Sequence, residues 1–435
     1  MSVGLIRNIK TYPLRREQLK TIKQGMLNWS QQFSIFSFLD SSGYNCNPGN
    51  FECLLATGSV ASVKGDSGDL LTQVQKLHNE RRDWLFGHIS YDFKNQLEPG
   101  LATGHPLQHT FPQLHFFVPE TVCHIDAAQT LLTIASFAEP DEIFNWLTSA
   151  SPISGHIPEA TFDLSEPEAA YLETIGQLRR HIRNGDCYEI NYCVNGQASV
   201  PGLDPYAVFT ELSELSPAPF SALYRADNAW LICASPERYL HKKGQMLTAQ
   251  PIKGTARRGT TVAEDEANKA RLRSSIKEQA ENVMIVDLMR NDLARTCRPG
   301  SIKVNELFGI YTYPQVHQMI STISGEMKEE IPFTDAIRHS FPMGSMTGAP
   351  KYKVMQLIDR YEKTARELFS GTTGYVTPAG DFDFNVVIRS LFYNSSSGHL
   401  SYEAGGAITY ESNAAEEWLE MRTKAWAMER IFKKS

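Results

Sequence analysis

The sequence predicts an α+β fold with large antiparallel sheets, and two observations carry that expectation. Strand-like segments such as CYEINYCV (187–194), AWLICASPERYL (229–240), FDFNVVIRSLFY (382–393) and LSYEAGGAITY (400–410) are bounded by short turns. Long helical stretches near 263–290, 350–366 and 413–432 are mixed among them in no fixed alternation, an order that favours α+β. No repeat of short fixed period is present.

Taken in chain order, residues 1–150 form an N-terminal region of short strands. FECLLATGSV and WLFGHISYDF suit strands, while SSGYNCNPGN and QLEPGLATGHP read as loops. Residues 151–167, rich in Ser, Pro and Gly, read as a linker, and 168–435 as a second, larger unit. The first helix of that unit is expected to start with a capping box from Ser165 to Glu168, with Pro167 in the first turn. Tyr171, Ile175, Leu178 and Ile182 repeat at helical spacing, and Asn184-Gly185 ends the helix.

Composition narrows the function. The chain has 435 residues, 42% hydrophobic and 21% charged, with net charge −7. Lys and Arg are scattered, so there is no basic stripe for nucleic acid. Seven cysteines without a Cys-x-x-Cys pair argue against a disulfide framework or a structural zinc. With no signal-peptide stretch and no apolar run long enough for a membrane span, a cytoplasmic protein with reduced thiols is expected.

Several residues could carry chemistry. Glu278 and Glu281 share one helix face, and Glu417 and Glu420 share another behind an Asn413–Glu416 capping box, with Lys424 a turn further on. Such pairs suit a hard cation such as Mg²⁺, or are two solvated faces. FPMGSMTGAPK (341–351) places Gly344 and Gly348 before Pro350 at the first position of a helix, where backbone N–H groups could meet an anion. EAGGAIT (403–409) lets a backbone approach a ligand closely. Either is also compatible with a plain turn. Arg389 interrupts an apolar strand and calls for an anionic partner. His317 reads as a satisfied core histidine. Lys253, in AQPIKGTARRG (249–259), is either a solvated loop charge or a lysine held beside a reacting carbon.

The ordered set SPE (235–237), PIKGT (251–255), ENVMIVDLMRNDLAR (281–295), HQMISTISGE (317–326), GSMTGAPK (344–351), GYV (374–376), IRS (388–390), EAGGAI (403–408) and EEWLEMRTKA (416–425) resembles the chorismate-utilising enzymes. That family holds the anthranilate, aminodeoxychorismate, isochorismate and salicylate synthases. The resemblance is strong over about 165–432 and loose before it, and it implies a sandwich-like core of antiparallel sheets with helices outside.

It also implies roles, position by position. Glu281 and Glu420 would bind Mg²⁺, with Glu278 and Glu417 as near neighbours acting through water. Glu237, with a raised pKa, would protonate the departing 4-hydroxyl of chorismate. Arg389 and Tyr375 would grip the enolpyruvyl carboxylate. Thr255, His317, Gly405, Gly406, Ala407 and Lys424 would make the remaining substrate contacts. A lysine at 253, where anthranilate synthases have alanine, points to the aminodeoxychorismate-forming branch. There the lysine, with a lowered pKa, attacks C2 as the 4-hydroxyl leaves, and ammonia then attacks C4 and expels it. Gly405-Gly406-Ala407 leans the same way. Glu189 departs from the pattern, since water-using members carry lysine there and ammonia-using members usually glutamine.

No Gly-x-Cys-x-Gly glutaminase turn is present, so ammonia is expected from a separate glutamine amidotransferase. A tryptophan pocket of the kind such members carry would use Ser42, Pro219, Phe220 and Ser221. The competing readings are an anthranilate synthase component and a non-catalytic scaffold for the amidotransferase. Retention of Glu237, Lys253, Glu281 and Glu420 argues against the scaffold.

Overall fold

The structure is a computed structural model that describes residues 6–44, 51–105, 107–108, 111–149, 153, 155–313 and 316–433. Cys46, most of the loop after Tyr44, and parts of the expected loop at 96–106 and linker at 151–167 lie outside the described residues. Two antiparallel sheets, of twelve and ten strands among the described residues, form the body.

Strand alternation explains how the sheets pack. In Ala229–Ser235, Trp230, Ile232 and Ala234 point to one apolar cluster, while Ala229, Leu231 and Cys233 point to another. In Leu85–Ile89 of the second sheet, Phe86 joins that same second cluster and Leu85 and Ile89 face away. The shared cluster, with Leu54, Tyr224 and Phe392 from one sheet and Phe117 from the other, lies between the sheets. The pair is therefore a sandwich, and an inner strand such as Ala229–Ser235 is apolar on both sides because both sides are buried. Helices Glu168–Arg183, Pro205–Leu215 and Ala414–Arg430 cover the outer face of the first sheet. Leu70–Arg81, Ile276–Ala294 and Phe333–Ser340 cover that of the second. The expected fold class is thus the observed one.

The strands do not respect the boundaries expected at 150 and 167. In the first sheet, Ile35–Asp40 pairs with Phe220–Ala226. In the second, Leu85–Ile89 pairs with Thr372–Val376. Asp163–Leu164 of the expected linker is itself a strand, paired with Glu189–Ser199.

Local signals were read less well than the fold. Ser165 does not cap its helix: its hydroxyl accepts from Asn195 N at 3.2 Å, and Pro167 stands at the N-cap without a side-chain bond. The stretch near 263–290 is two helices, Val262–Ser274 and Ile276–Ala294, because Ser275 leaves helical geometry to cap the second through Glu278 N. Pro350 precedes its helix as N-cap, and that helix closes at Tyr361. Asn413 caps as expected, accepting from Ala415 N and Glu416 N. Among the described residues no helix is long and apolar enough to cross a membrane, and the six described cysteines are free and buried.

Beyond Tyr361, the chain spends two charges on one buried pair. Arg366 binds Glu362 at 2.6 Å, and its guanidinium lies over the Tyr91 ring, tying the C-terminal half to the N-terminal region. Removing the cation would leave a buried carboxylate uncompensated. Arg366→Met should therefore lower the unfolding free energy by about 3–5 kcal/mol in urea denaturation. A loss below about 1 kcal/mol would contradict a buried ionic tie.

Candidate active site

Lys253 lies on the strand Ile252–Arg257, which pairs with Val316–Glu326. The register shifts between Ile252 and Thr255, so an irregularity falls on Lys253-Gly254. A bulge of this kind re-aims a side chain. Here it turns Lys253 inward to 7% exposure while Thr255 stays exposed. Gly254 has φ +94°, and a Cβ there would stand 2.9 Å from Glu278 Oε2, so this irregularity requires glycine.

Carboxylates surround the ammonium. Its Nζ is 2.5 Å from Glu189 Oε1. Burial pulls the lysine pKa down, but the charges of Glu189, Glu281 and Glu237 reverse the effect and leave it raised. This corrects the expected direction, because acids rather than arginines surround Lys253. Glu237, just past the strand Ala229–Ser235, is pushed up to about 7 by burial, against the lowering pull of a Ser345 hydrogen bond and the Lys253 charge.

The two helical carboxylate pairs face each other. Lys277 Nζ lies 4.0 Å from Glu281 on its own helix and 3.5 Å from Glu417 on the other, so one cation spans the gap between them. Glu281 is pushed up to about 7 by burial, with Glu189 and Glu278 adding to the rise, and its buried Oε1 has no hydrogen-bond partner. Burial also raises Glu278. Lys424 binds Glu420 at 2.7 Å, holds its carboxyl below the usual range, and donates to Gly405 O at 2.8 Å.

A Cβ on Gly406 would sit 3.4–3.6 Å from Glu417, Lys424 and Glu420, so a side chain there would fill the space where these groups converge. A Cβ on Gly405 would strike Tyr192 O at 2.1 Å. Ala407 pairs with Asn191 on the neighbouring strand. These carboxylates fit a hard cation. Among the described residues, however, no three His, Cys, Asp or Glu side chains are gathered closely enough to hold an ion alone. A cation here would take water or substrate oxygens as well, as Mg²⁺ does.

Other expected contacts divide. Arg389, at φ +53°, is half-buried, and its guanidinium donates a long hydrogen bond of 3.5 Å to Lys424 O; burial lowers its pKa against the pull of Glu420. It remains suited to an anion. His317 does not: Asp265 Oδ1 at 2.8 Å and Thr312 Oγ1 at 3.0 Å engage both ring nitrogens of a fully buried ring. It is a satisfied core histidine that braces the strand.

Tyr375 lies away from the acids. It packs against Phe51, Trp84 and Phe86 and lines a separate small cavity with Ser41, Pro219, Phe220 and Ser221. Ser41 rather than Ser42 lines that cavity. The left-handed Ser42 (φ +52°) instead donates its N–H to Asp40 Oδ1.

Sequence reasoning missed Ser345 and Lys277. Ser345 lies in the GSMTGAPK segment, read only for its backbone. Lys277 is one residue from Glu278 and faces the second helix only through the tertiary packing.

The two-sheet architecture recurs in solved structures. Anthranilate synthase component I from Streptococcus pneumoniae superposes with TM-score 0.77 at 24% identity, covering 89% of this chain and 94% of that one. The menaquinone-specific isochorismate synthase of Escherichia coli gives 0.77 at 15% identity, covering 98% and 96%. The fold is thus that of this class of synthase. Residues 48–430 match the chorismate binding enzyme family, and the chain belongs to it.

Similar proteins include the chloroplastic aminodeoxychorismate synthase of Arabidopsis thaliana, 41% identical over 59% of this chain and 28% of that protein. Aminodeoxychorismate synthase component 1 of Salmonella typhimurium is 35% identical over 68% and 65%, and that of Escherichia coli 37% over 80% and 77%. The chain therefore spans less than two thirds of the first two.

The raised Glu237 pKa has a measurable consequence. Its carboxyl moves from 4.5 to about 7 on burial, so the folded state binds a proton that the unfolded state has released. The stability this contributes is complete below pH 4.5 and is lost as pH rises through 7. Relative to Glu237→Gln, the wild type should lose roughly 3 kcal/mol between those limits in urea titrations. A pH-independent difference would show that the carboxyl is not so shifted.

Proposed function

We propose that the protein is the chorismate-aminating component of an aminodeoxychorismate synthase, converting chorismate and ammonia to 4-amino-4-deoxychorismate for p-aminobenzoate and folate synthesis. The observation that carries this reading is Lys253, buried in the acid cluster beside Glu237 and opposite the facing carboxylate pairs. Relatives named for the same reaction support it.

In this reading Arg389 binds a substrate carboxylate, and Glu237 gives its proton to the departing 4-hydroxyl. The Lys253 amine, once deprotonated, attacks C2. Glu281 and Glu420, with Glu278 and Glu417 behind them, would hold Mg²⁺, which when bound neutralises and orients substrate oxygens. The backbone at Gly405–Gly406 admits substrate without side-chain obstruction. Ammonia comes from a glutamine amidotransferase partner. Free, buried thiols fit a cytoplasmic setting. The aromatic cavity beside Asp40 is read as a tryptophan site, the carboxylate meeting the ligand amine.

The purified chain, given chorismate, Mg²⁺ and ammonium salts, should form 4-amino-4-deoxychorismate and should form none from glutamine. Glu281→Gln should lower kcat by ~10²-fold or more with the fold retained, and Lys253→Ala should abolish the 4-amino product or shift amination to C2. Tryptophan should bind saturably in isothermal titration calorimetry, and more weakly to Phe220→Ala. Anthranilate from the wild type, or a 4-amino product from Lys253→Ala at wild-type rate, would contradict the reading. Absence of saturable heat would remove the tryptophan site.

A further inference from the structure

We infer that Glu189 is the positioning residue for Lys253, holding its ammonium in the resting site and accepting its proton when the amine attacks. The inference rests on the reading of Lys253 as nucleophile. Geometry carries it. Glu189 is fully buried, its Oε1 is 2.5 Å from Lys253 Nζ, and its buried Oε2 has no hydrogen-bond partner. Among the described residues it is the only carboxylate in ion-pair distance of Nζ. Glu237 and Glu281 act on Lys253 from further away, and each has other work in the proposed reaction.

The backbone holds this carboxylate in place. Glu189 opens the strand Glu189–Ser199 and pairs with Ala349, while Asn191 N donates to Thr347 O at 2.8 Å. Gly348 has φ +144°, and a Cβ there would lie 2.1 Å from Glu189 O, so the GSMTGAPK segment lies directly on the Glu189 peptide. The same segment supplies Ser345 to Glu237. One loop thus fixes both the acid that serves the leaving group and the carboxylate that serves the nucleophile. A buried ion pair is weak support for stability by itself, and an orphaned carboxylate oxygen adds cost. A role in proton transfer explains both features.

The step balances. The Lys253 ammonium gives one proton to Glu189, and the freed lone pair forms the Nζ–C2 bond. The C1=C2 electrons move to C1=C6 and those of C5=C6 to C4=C5 as the C4–O bond breaks. The departing oxygen takes the proton of Glu237 and leaves as water. When ammonia attacks C4, the shifts reverse, the C2–N bond breaks towards Nζ, and Glu189 returns its proton to the released amine. Glu237 regains its proton from the new C4 ammonium. Glutamine at 189 could orient the amine but could not accept the proton, so this chain has a different means of activating its lysine from a member with glutamine there.

The test compares full-length wild type, Glu189→Ala, Glu189→Gln and Lys253→Ala with chorismate, Mg²⁺ and ammonium. Glu189→Gln keeps the side-chain shape, and its urea midpoint reports the fold. A wild type that makes no 4-amino product removes the functional reading, and this inference with it. Given that product, kcat should fall by ~10²-fold or more in both Glu189 variants while KM for chorismate stays within about threefold. Added formate should restore kcat of Glu189→Ala saturably by at least about tenfold, and should not restore Lys253→Ala. Retention of kcat within about threefold in either Glu189 variant, a change confined to KM, or failure of formate to rescue would overturn the assignment.

Discussion

An ammonium group cannot be buried to 7% exposure without negative partners, and the acid cluster is arranged around that constraint. Glu189 meets Lys253 directly, and Glu281 and Glu237 set the field around it. The three come from separate parts of the chain: the start of a strand near one edge of the first sheet, a helix on the second sheet, and the end of another strand in the first. Lys253 itself comes from an edge of the second sheet. The site therefore exists only where the two sheets meet, and the irregularity at Lys253-Gly254 turns the lysine into it.

Buried and exposed charges adjoin at that centre. Glu189, Glu237, Glu281 and Glu417 are all buried, whereas Lys277 and the side chain of Glu420 are 44% and 50% exposed. The outer groups are therefore better hydrated and more screened by solvent, while the inner ones interact strongly and shift one another's titration. A substrate entering from the Lys277 side would pass from solvated charges to desolvated ones. That gradient suits chemistry in which a hydroxyl must be protonated and an amine deprotonated within one small volume.

Much of this was legible in the sequence. The i, i+3 spacing put Glu278 with Glu281 and Glu417 with Glu420 before any fold was known, and the glycines at 405 and 406 marked a close approach. What could not be read was which faces meet. The period of a strand is the same on either side of a sheet, so the GYV motif marked Tyr375 without showing that it faces the aromatic cavity. His317 looked like a core residue on its own and a substrate contact by resemblance; Asp265, distant in sequence, decides for the core. Capping was misread at Ser165 because Asn195 takes its hydroxyl. The sign of the Lys253 shift depended on counting carboxylates that converge only through tertiary structure. The sheets also draw strands from both sides of the Ser/Pro/Gly-rich stretch, so composition alone did not locate a structural boundary there.

The central claim is that Lys253 forms and breaks a bond to the substrate. Intact-protein and peptide mass spectrometry, with a chorismate analogue that reacts slowly, measures this most directly. The account predicts a covalent mass increment confined to the peptide containing residues 249–259, and no increment in Lys253→Arg, whose guanidinium stays protonated. A wild type that turns chorismate into the 4-amino product while carrying no adduct on that peptide, under conditions where the analogue demonstrably occupies the site, would contradict it.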